Sequence, residues 1–239
     1  MFYKSNVQKK PALILLCLVM LFVFIYNQSS QAASTDRSHI IVKNTSGSNA
    51  QFNGGSYRAV TKAMNSKWSS SNSHRFALRT MWLEVNGKNS QSWIENGFVN
   101  GSLNNAYYNG FYCAYGYLNN GTLTYGEYSI IGPSTNNDTT HDYQITYLGS
   151  QKYAVVVDGT TYKNFTGFNP GGSYMQLGLE TNYSGSTFAT TYTSMHKVKD
   201  GSGVWANWSN GVTDINDQLG TGYTCEFTNH PVTAKYYHP

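Results

Sequence analysis

The chain has 239 residues, with 16 Lys+Arg against 12 Asp+Glu. Lys4, Lys9 and Lys10 all fall within the first 32 positions, which hold no acid, so the remainder is almost neutral. That balance lacks the basic footprint of a nucleic-acid binder, and a chain of about 200 residues buries one ordinary core, which predicts a single domain. Only 12% of residues are charged, while Tyr (20) and Gly (23) are abundant. Helices favour Ala, Leu, Glu and Lys, so this composition predicts an all-β protein.

In chain order, residues 1–32 read as a signal peptide. Three lysines precede an unbroken apolar run over 12–26, and Ser30-Gln31-Ala32 supplies the small residues a signal peptidase reads. An uncleaved anchor is the alternative, but the run is short for a membrane span. The expected product is secreted (extracellular), has no membrane contact after signal removal, and is a monomer. Residues 33–75 are Ser-, Asn- and Gly-rich and read as an N-terminal arm, or a first strand plus loop.

From 76 onward the pattern tightens into a domain expected over 76–239. Segments rich in Tyr, Val, Ile, Phe and Trp alternate with Gly, Asn and Asp turns. Strands are predicted at 76–85, 92–99, 110–117, 126–131, 143–147, 153–157, 175–181, 188–193 and 204–208. Asn86-Gly87 and Asp158-Gly159 sit where two-residue hairpin turns need positive φ. This spacing predicts a sandwich or jelly roll of two antiparallel sheets.

Cys113 and Cys225 are the two cysteines beyond the signal. They are a possible disulfide of a secreted protein or a pair of packed thiols. His39, His74, His141, His196, His230 and His238 are scattered without HExxH or CxxC spacing, so no metal and no cofactor are expected. No Gly-x-Ser-x-Gly elbow is present. Glu84, Glu226 and Asp158 read as solvated turn or strand-edge charges.

Two strands carry an acid where it is informative. Side chains alternate along a strand. In Trp93-Ile94-Glu95-Asn96-Gly97-Phe98, Trp93, Glu95 and Gly97 share one face. In Met175-Gln176-Leu177-Gly178-Leu179-Glu180, Gln176, Gly178 and Glu180 do. Each strand offers an apolar face and, opposite it, a glutamate near a glycine, and a strand glycine often marks close approach by a ligand or another backbone. The two glutamates are either an acid/base pair on one concave face or ordinary solvent-side residues.

WIENGF (93–98), followed by the aromatic strand NGFYCAYGY (109–117), resembles the first glutamate motif of the neprosin-like glutamic peptidases, in a bacterial-type short form. YMQLGLET (174–181) resembles their second. The fungal eqolisins, related in style, use a Gln/Glu pair whose glutamine falls near Glu95. The resemblance covers roughly 92–193. It implies a concanavalin-like jelly roll with Glu95 and Glu180 as the catalytic pair on neighbouring strands. It also implies metal-free hydrolysis of peptide bonds at acidic pH. Gln176, on the Glu180 face, is the candidate oxyanion donor, and Trp93 the candidate wall of the substrate cleft. Two rivals stand beside this reading. One is a non-catalytic secreted sandwich that binds glycan or peptide through exposed Tyr and Trp. The other is a jelly-roll glycosidase using Glu127 and Glu180.

Overall fold

A computed structural model describes residues 38–45, 51–130, 138–208, 212–217, 222–229 and 233–238. The expected signal peptide lies outside the described residues. The strands in chain order are β1 (Ser38–Thr45), β2 (Phe52–Val60), β3 (Met64–Asn65), β4 (Phe76–Val85) and β5 (Ser92–Leu103). They continue as β6 (Ala106–Asn119), β7 (Thr122–Ser129), β8 (Thr140–Gly149), β9 (Lys152–Val157) and β10 (Thr160–Thr166). The last are β11 (Tyr174–Thr181), β12 (Thr187–Asp200), β13 (Trp205–Asn207), β14 (Val212–Asp217), β15 (Thr224–Asn229) and β16 (Thr233–His238). Among the described residues the helical content is one 3-10 turn, Ser70–Asn72, and no helix is long and apolar enough to cross a membrane.

The strands form two antiparallel sheets of a jelly-roll sandwich. Sheet 1 runs β14-β1-β11-β4-β5-β6-β7, and sheet 2 runs β10-β9-β8-β2-β12-β16-β15, with β3 and β13 also paired to β12. β1 and β2 are inner strands of the two sheets, so the sandwich begins well before residue 76. Four connections are two-residue turns with positive φ at both positions: Asn104-Asn105, Asn120-Gly121, Ser150-Gln151 and Asp158-Gly159. Such turns match the twist of the strands they join. Asn86 and Gly87 also have positive φ, but they open a longer loop from β4 to β5. The Asn86 N–H donates to the Asn169 carbonyl at 2.8 Å, and the Asn169 N–H donates back to Asn86 Oδ1 at 2.7 Å.

Alternation places the core. Met175, Leu177 and Leu179 of β11, Ile94 and Phe98 of β5, and Ile145, Val155 and Val157 of sheet 2 are all buried between the sheets. Two polar side chains share this layer. Asn96 donates to the carbonyls of Gln144 (3.1 Å) and Val156 (3.0 Å), stitching the two sheets together. Arg79 is buried on the same side and reaches the carbonyls of Val60 and Lys62; burial lowers its pKa to about 10, still high enough to keep it charged at neutral pH.

One sequence expectation is corrected. Glu84 is fully buried, not solvated, and accepts from both the N–H and the hydroxyl of Ser173 at 2.6 Å. Asp158 is an exposed turn charge, as expected, and it accepts from the Asp142 N–H at 2.8 Å and faces His141 Nδ1 at 2.7 Å. Cys113 and Cys225 are free thiols. Cys113 packs in the core from β6 of sheet 1, whereas Cys225 lies on β15 of sheet 2. Burial pushes each thiol up to about 12, so both serve as packing groups.

Candidate active site

The face of sheet 1 turned away from sheet 2 carries the acids. Cross-strand partners run Gln176–Trp82–Glu95–Ala114–Glu127 across β11, β4, β5, β6 and β7. A second row runs Glu180–Leu78–Val99–Gly110. Glu95 and Glu180 are thus not on neighbouring strands, because β4 lies between them. Pairing order is set by long-range packing, which a single strand's pattern does not encode. On a flat sheet the offset of two strands and four residues would separate the two Cα atoms by about 16 Å.

The side chains nevertheless converge. Glu95, Glu180, Glu127, Trp82, Trp93 and Tyr125 border one cavity of about 20 Å³, together with Phe76, Leu78, Ser102 and Leu103. That volume holds about one water molecule. Strands four places apart border so small a space only because the sheet curls around it. Glu95 and Glu180 are 3% and 5% exposed, so neither is an ordinary solvent-side residue. Buried carboxylates are costly unless held by polar partners, and that cost marks a candidate site.

Neighbouring side chains fix the acids. The Tyr112 hydroxyl, fully buried, donates to Glu95 Oε1. Burial first, then the Glu95 charge, raises the Tyr112 phenol well above its usual range. Glu127 is half-buried at the rim; it accepts from the Tyr125 hydroxyl at 2.7 Å and from the Asn104 N–H at 3.0 Å. Burial raises the Tyr125 phenol, and the charges of Glu95, Glu127 and Glu180 add to it. Tyr125 thus stands within the field of all three acids.

Two glycines make room for this arrangement. A Cβ on Gly97 would lie 2.2 Å from the Arg79 carbonyl oxygen, so this glycine admits the backbone of β4 rather than a ligand. A Cβ on Gly116 would strike the Trp93 ring at 2.3 Å; its absence lets the indole lie on β6. Trp93 therefore forms part of the cavity wall, tilted 41° against Tyr125 with ring centroids 6.4 Å apart. Gln176 shares the face and is half-buried, but it is not among the residues bordering the cavity, and Trp82 stands between it and Glu95 in the row. Trp82, Tyr112 and Tyr125 carry no motif that marks them in the sequence. Strand parity alone puts Trp82 opposite the core side of β4, and that signal could have found it.

Among the described residues, no group of three or more His, Cys, Asp or Glu is placed to hold a metal ion. No protein-family model matches the chain, and no curated protein is similar to it in sequence. Solved structures do resemble it. Scytalido-glutamic peptidase with a transition-state-analogue inhibitor aligns at a TM-score of 0.53 and 10% identity, over 86% of this chain and 99% of that one. Scytalido-glutamic peptidase with a peptide-based transition-state analogue gives 0.51 and 9%, with the same coverage. A member of the eqolisin family, SCP-B with a bound tripeptide, gives 0.49 and 9%. The two likenesses to scytalido-glutamic peptidase give the chain the glutamic-peptidase fold.

Proposed function

We propose that this protein is a secreted, neprosin-like glutamic endopeptidase that hydrolyses peptide bonds with Glu95 and Glu180. One observation carries the reading: two buried glutamates from different strands meet at a single water-sized cavity walled by tryptophan. A hydrogen bond donated to a carboxylate favours its ionised form, so Tyr112 makes Glu95 the general base. Glu95 takes a proton from a water as its oxygen attacks the scissile carbonyl carbon. Glu180 enters protonated and gives its proton to the leaving nitrogen as the C–N bond breaks. Acidic solution supplies that protonated partner, and no metal takes part in either step. The secretion signal read at 1–32 fits an enzyme acting on extracellular protein.

The test is cleavage of a denatured protein across pH, with chelator and serine-directed reagents present. Activity is expected at acidic pH, insensitive to both reagents, and lost in Glu95→Gln and in Glu180→Gln. A preparation that cleaves no peptide at any pH, while wild type and Glu95→Gln bind peptide or glycan equally well, would leave the binding module standing instead.

A second reading has one observation behind it: Glu127 borders the same cavity. A glycosidase using Glu127 and Glu180 would cleave a polysaccharide and lose that activity in Glu127→Gln. Glu127 lies four strands from Glu180 and is already held by Tyr125 and Asn104, which suits a rim residue better than a reacting one.

A further inference from the structure

A second concavity lies at the open edge of the sandwich, between β7, the last strand of sheet 1, and β10, the last strand of sheet 2. Its volume is about 500 Å³, within the range of small-ligand sites. It shares no bordering residue with the glutamate cavity. Tyr115 and Tyr128 stack with centroids 6.4 Å apart, and Phe165 and Phe168 meet Tyr115 edge-on at 5.5 and 5.6 Å. Tyr117, half-buried, closes the wall against Phe168.

Into this ring of aromatics the fold turns one cation. The β9–β10 ladder shifts register between Thr161 and Lys163, and a bulge of this kind re-aims the side chains that follow it. After the shift Lys163 pairs with Val155 and Phe165 with Tyr153, both core residues. The Lys163 ammonium lies 3.7 Å from the centre of the Tyr128 ring and 5.9 Å from that of Phe165. Among the described residues no carboxylate pairs with it, and none borders the pocket. An inward-turned lysine on an edge strand also discourages edge-to-edge association, but that role needs no pocket and no aromatic wall.

We infer that this pocket binds an acidic sugar: a pyranose carrying a carboxylate, as a residue of an acidic polysaccharide. The aromatic rings pack on the apolar face of the sugar. Lys163 meets the carboxylate in a charge-assisted hydrogen bond. Thr124, Asn164 and Thr166, which also border the pocket, offer hydroxyl and amide partners for the sugar hydroxyls. A neutral sugar leaves the ammonium without its anion, and a short acidic peptide lacks the flat apolar ring face. The site is separate from the glutamate cavity, so it stands whether or not the protein cleaves peptides.

The experiment is calorimetric titration of the full chain at low salt with trigalacturonate, a neutral trisaccharide and triglutamate. Trigalacturonate is expected to bind saturably and the other two not. Binding should weaken at least about tenfold in Lys163→Gln and on raising the salt, and stay the same in Glu95→Gln. An unchanged melting temperature and monomeric elution of Lys163→Gln would show that the loss is not misfolding. No binding of trigalacturonate overturns the assignment. So does equal binding of triglutamate or the neutral trisaccharide, or full affinity in Lys163→Gln. If Lys163→Gln misfolds, Tyr117→Ala at the mouth serves in its place, with the same loss expected and full retention overturning the site.

Discussion

The two faces of sheet 1 use the same strands for opposite ends. Toward sheet 2, Met81, Leu83, Ile94 and Leu177 are 0–1% exposed and packed among apolar neighbours. On the other face Glu95, Glu180 and Tyr112 are buried almost as deeply, with a smaller apolar cluster of Leu78, Val99, Leu103, Tyr112 and Ala114 beside them. Burial on the first face removes apolar surface from water and stabilises the fold. Burial on the second desolvates carboxyl groups and works against it. A face that is dry at a cost to stability is where chemistry is to be sought.

The sharpest break between the faces comes from replacing their central residues. Glu95→Gln or Glu180→Gln should lower kcat/KM on a protein substrate by about 10²–10⁴-fold, while thermal melts show little loss of stability, since the amide keeps the size and an acceptor oxygen of the acid. A parallel loss of stability would mean that the acids are structural. Leu83→Ala, on the core face, should do the reverse: unfolding in urea should reveal a loss of about 2–5 kcal/mol, with specific activity per folded molecule retained.

Glu84 tests the comparison from within, because it is as buried as Glu95 and Glu180 but doubly bonded to Ser173. Glu84→Gln should cost about 1.5–3 kcal/mol in the same urea titration and leave kcat untouched. A catalytic defect there without destabilisation would extend the site toward the β4 end. Tyr112→Phe should act more gently. Losing the hydrogen bond to Glu95 disfavours the anion, so the acid limb of the pH–kcat profile should move to higher pH; an unmoved limb would remove Tyr112 from the positioning role. The smallest effect belongs to the two thiols. Cys113 and Cys225 are unbridged, with thiol pKa values pushed up to about 12. Reductant should therefore leave the melting temperature unchanged, and a thiol reagent at pH 8 should label Cys113 only after unfolding. Rapid labelling of Cys113 in the native protein would contradict its burial.

Much of this was legible in the sequence because the signals are local. The strand expected over 76–85 is β4, and the reading of Ile94, Phe98 and Met175 as core-facing follows from parity alone. Parity likewise puts Glu95 and Glu180 each on the side of its strand away from the core. β2 is not legible as a full strand, because Phe52-Asn53-Gly54-Gly55 reads as loop. Gly55 is there to make room, since a Cβ would meet Met175 Sδ at 1.8 Å, and no single strand announces what packs above it. β10 escaped because Thr160, Thr161, Tyr162 and Asn164 are exposed on an edge strand and its bulge breaks the alternation. The insertion of β4 between the two glutamate strands, and with it the place of Trp82, depends on pairings about 100 residues apart in the chain.

The tight turns have a consequence for how the site comes into being. β4 through β7 form a meander of sequential hairpins, as do β8 through β10. Contacts this local close with little loop entropy and form early. β11 instead joins β4 and β1 across long stretches of chain, and such pairings are slow. Glu95, Glu127 and Tyr112 thus belong to a unit that can assemble first, while Glu180 arrives only when β11 docks. On this topology the nascent chain is expected to place Glu95 early and Glu180 late, so that a partly folded molecule holds one glutamate without the other.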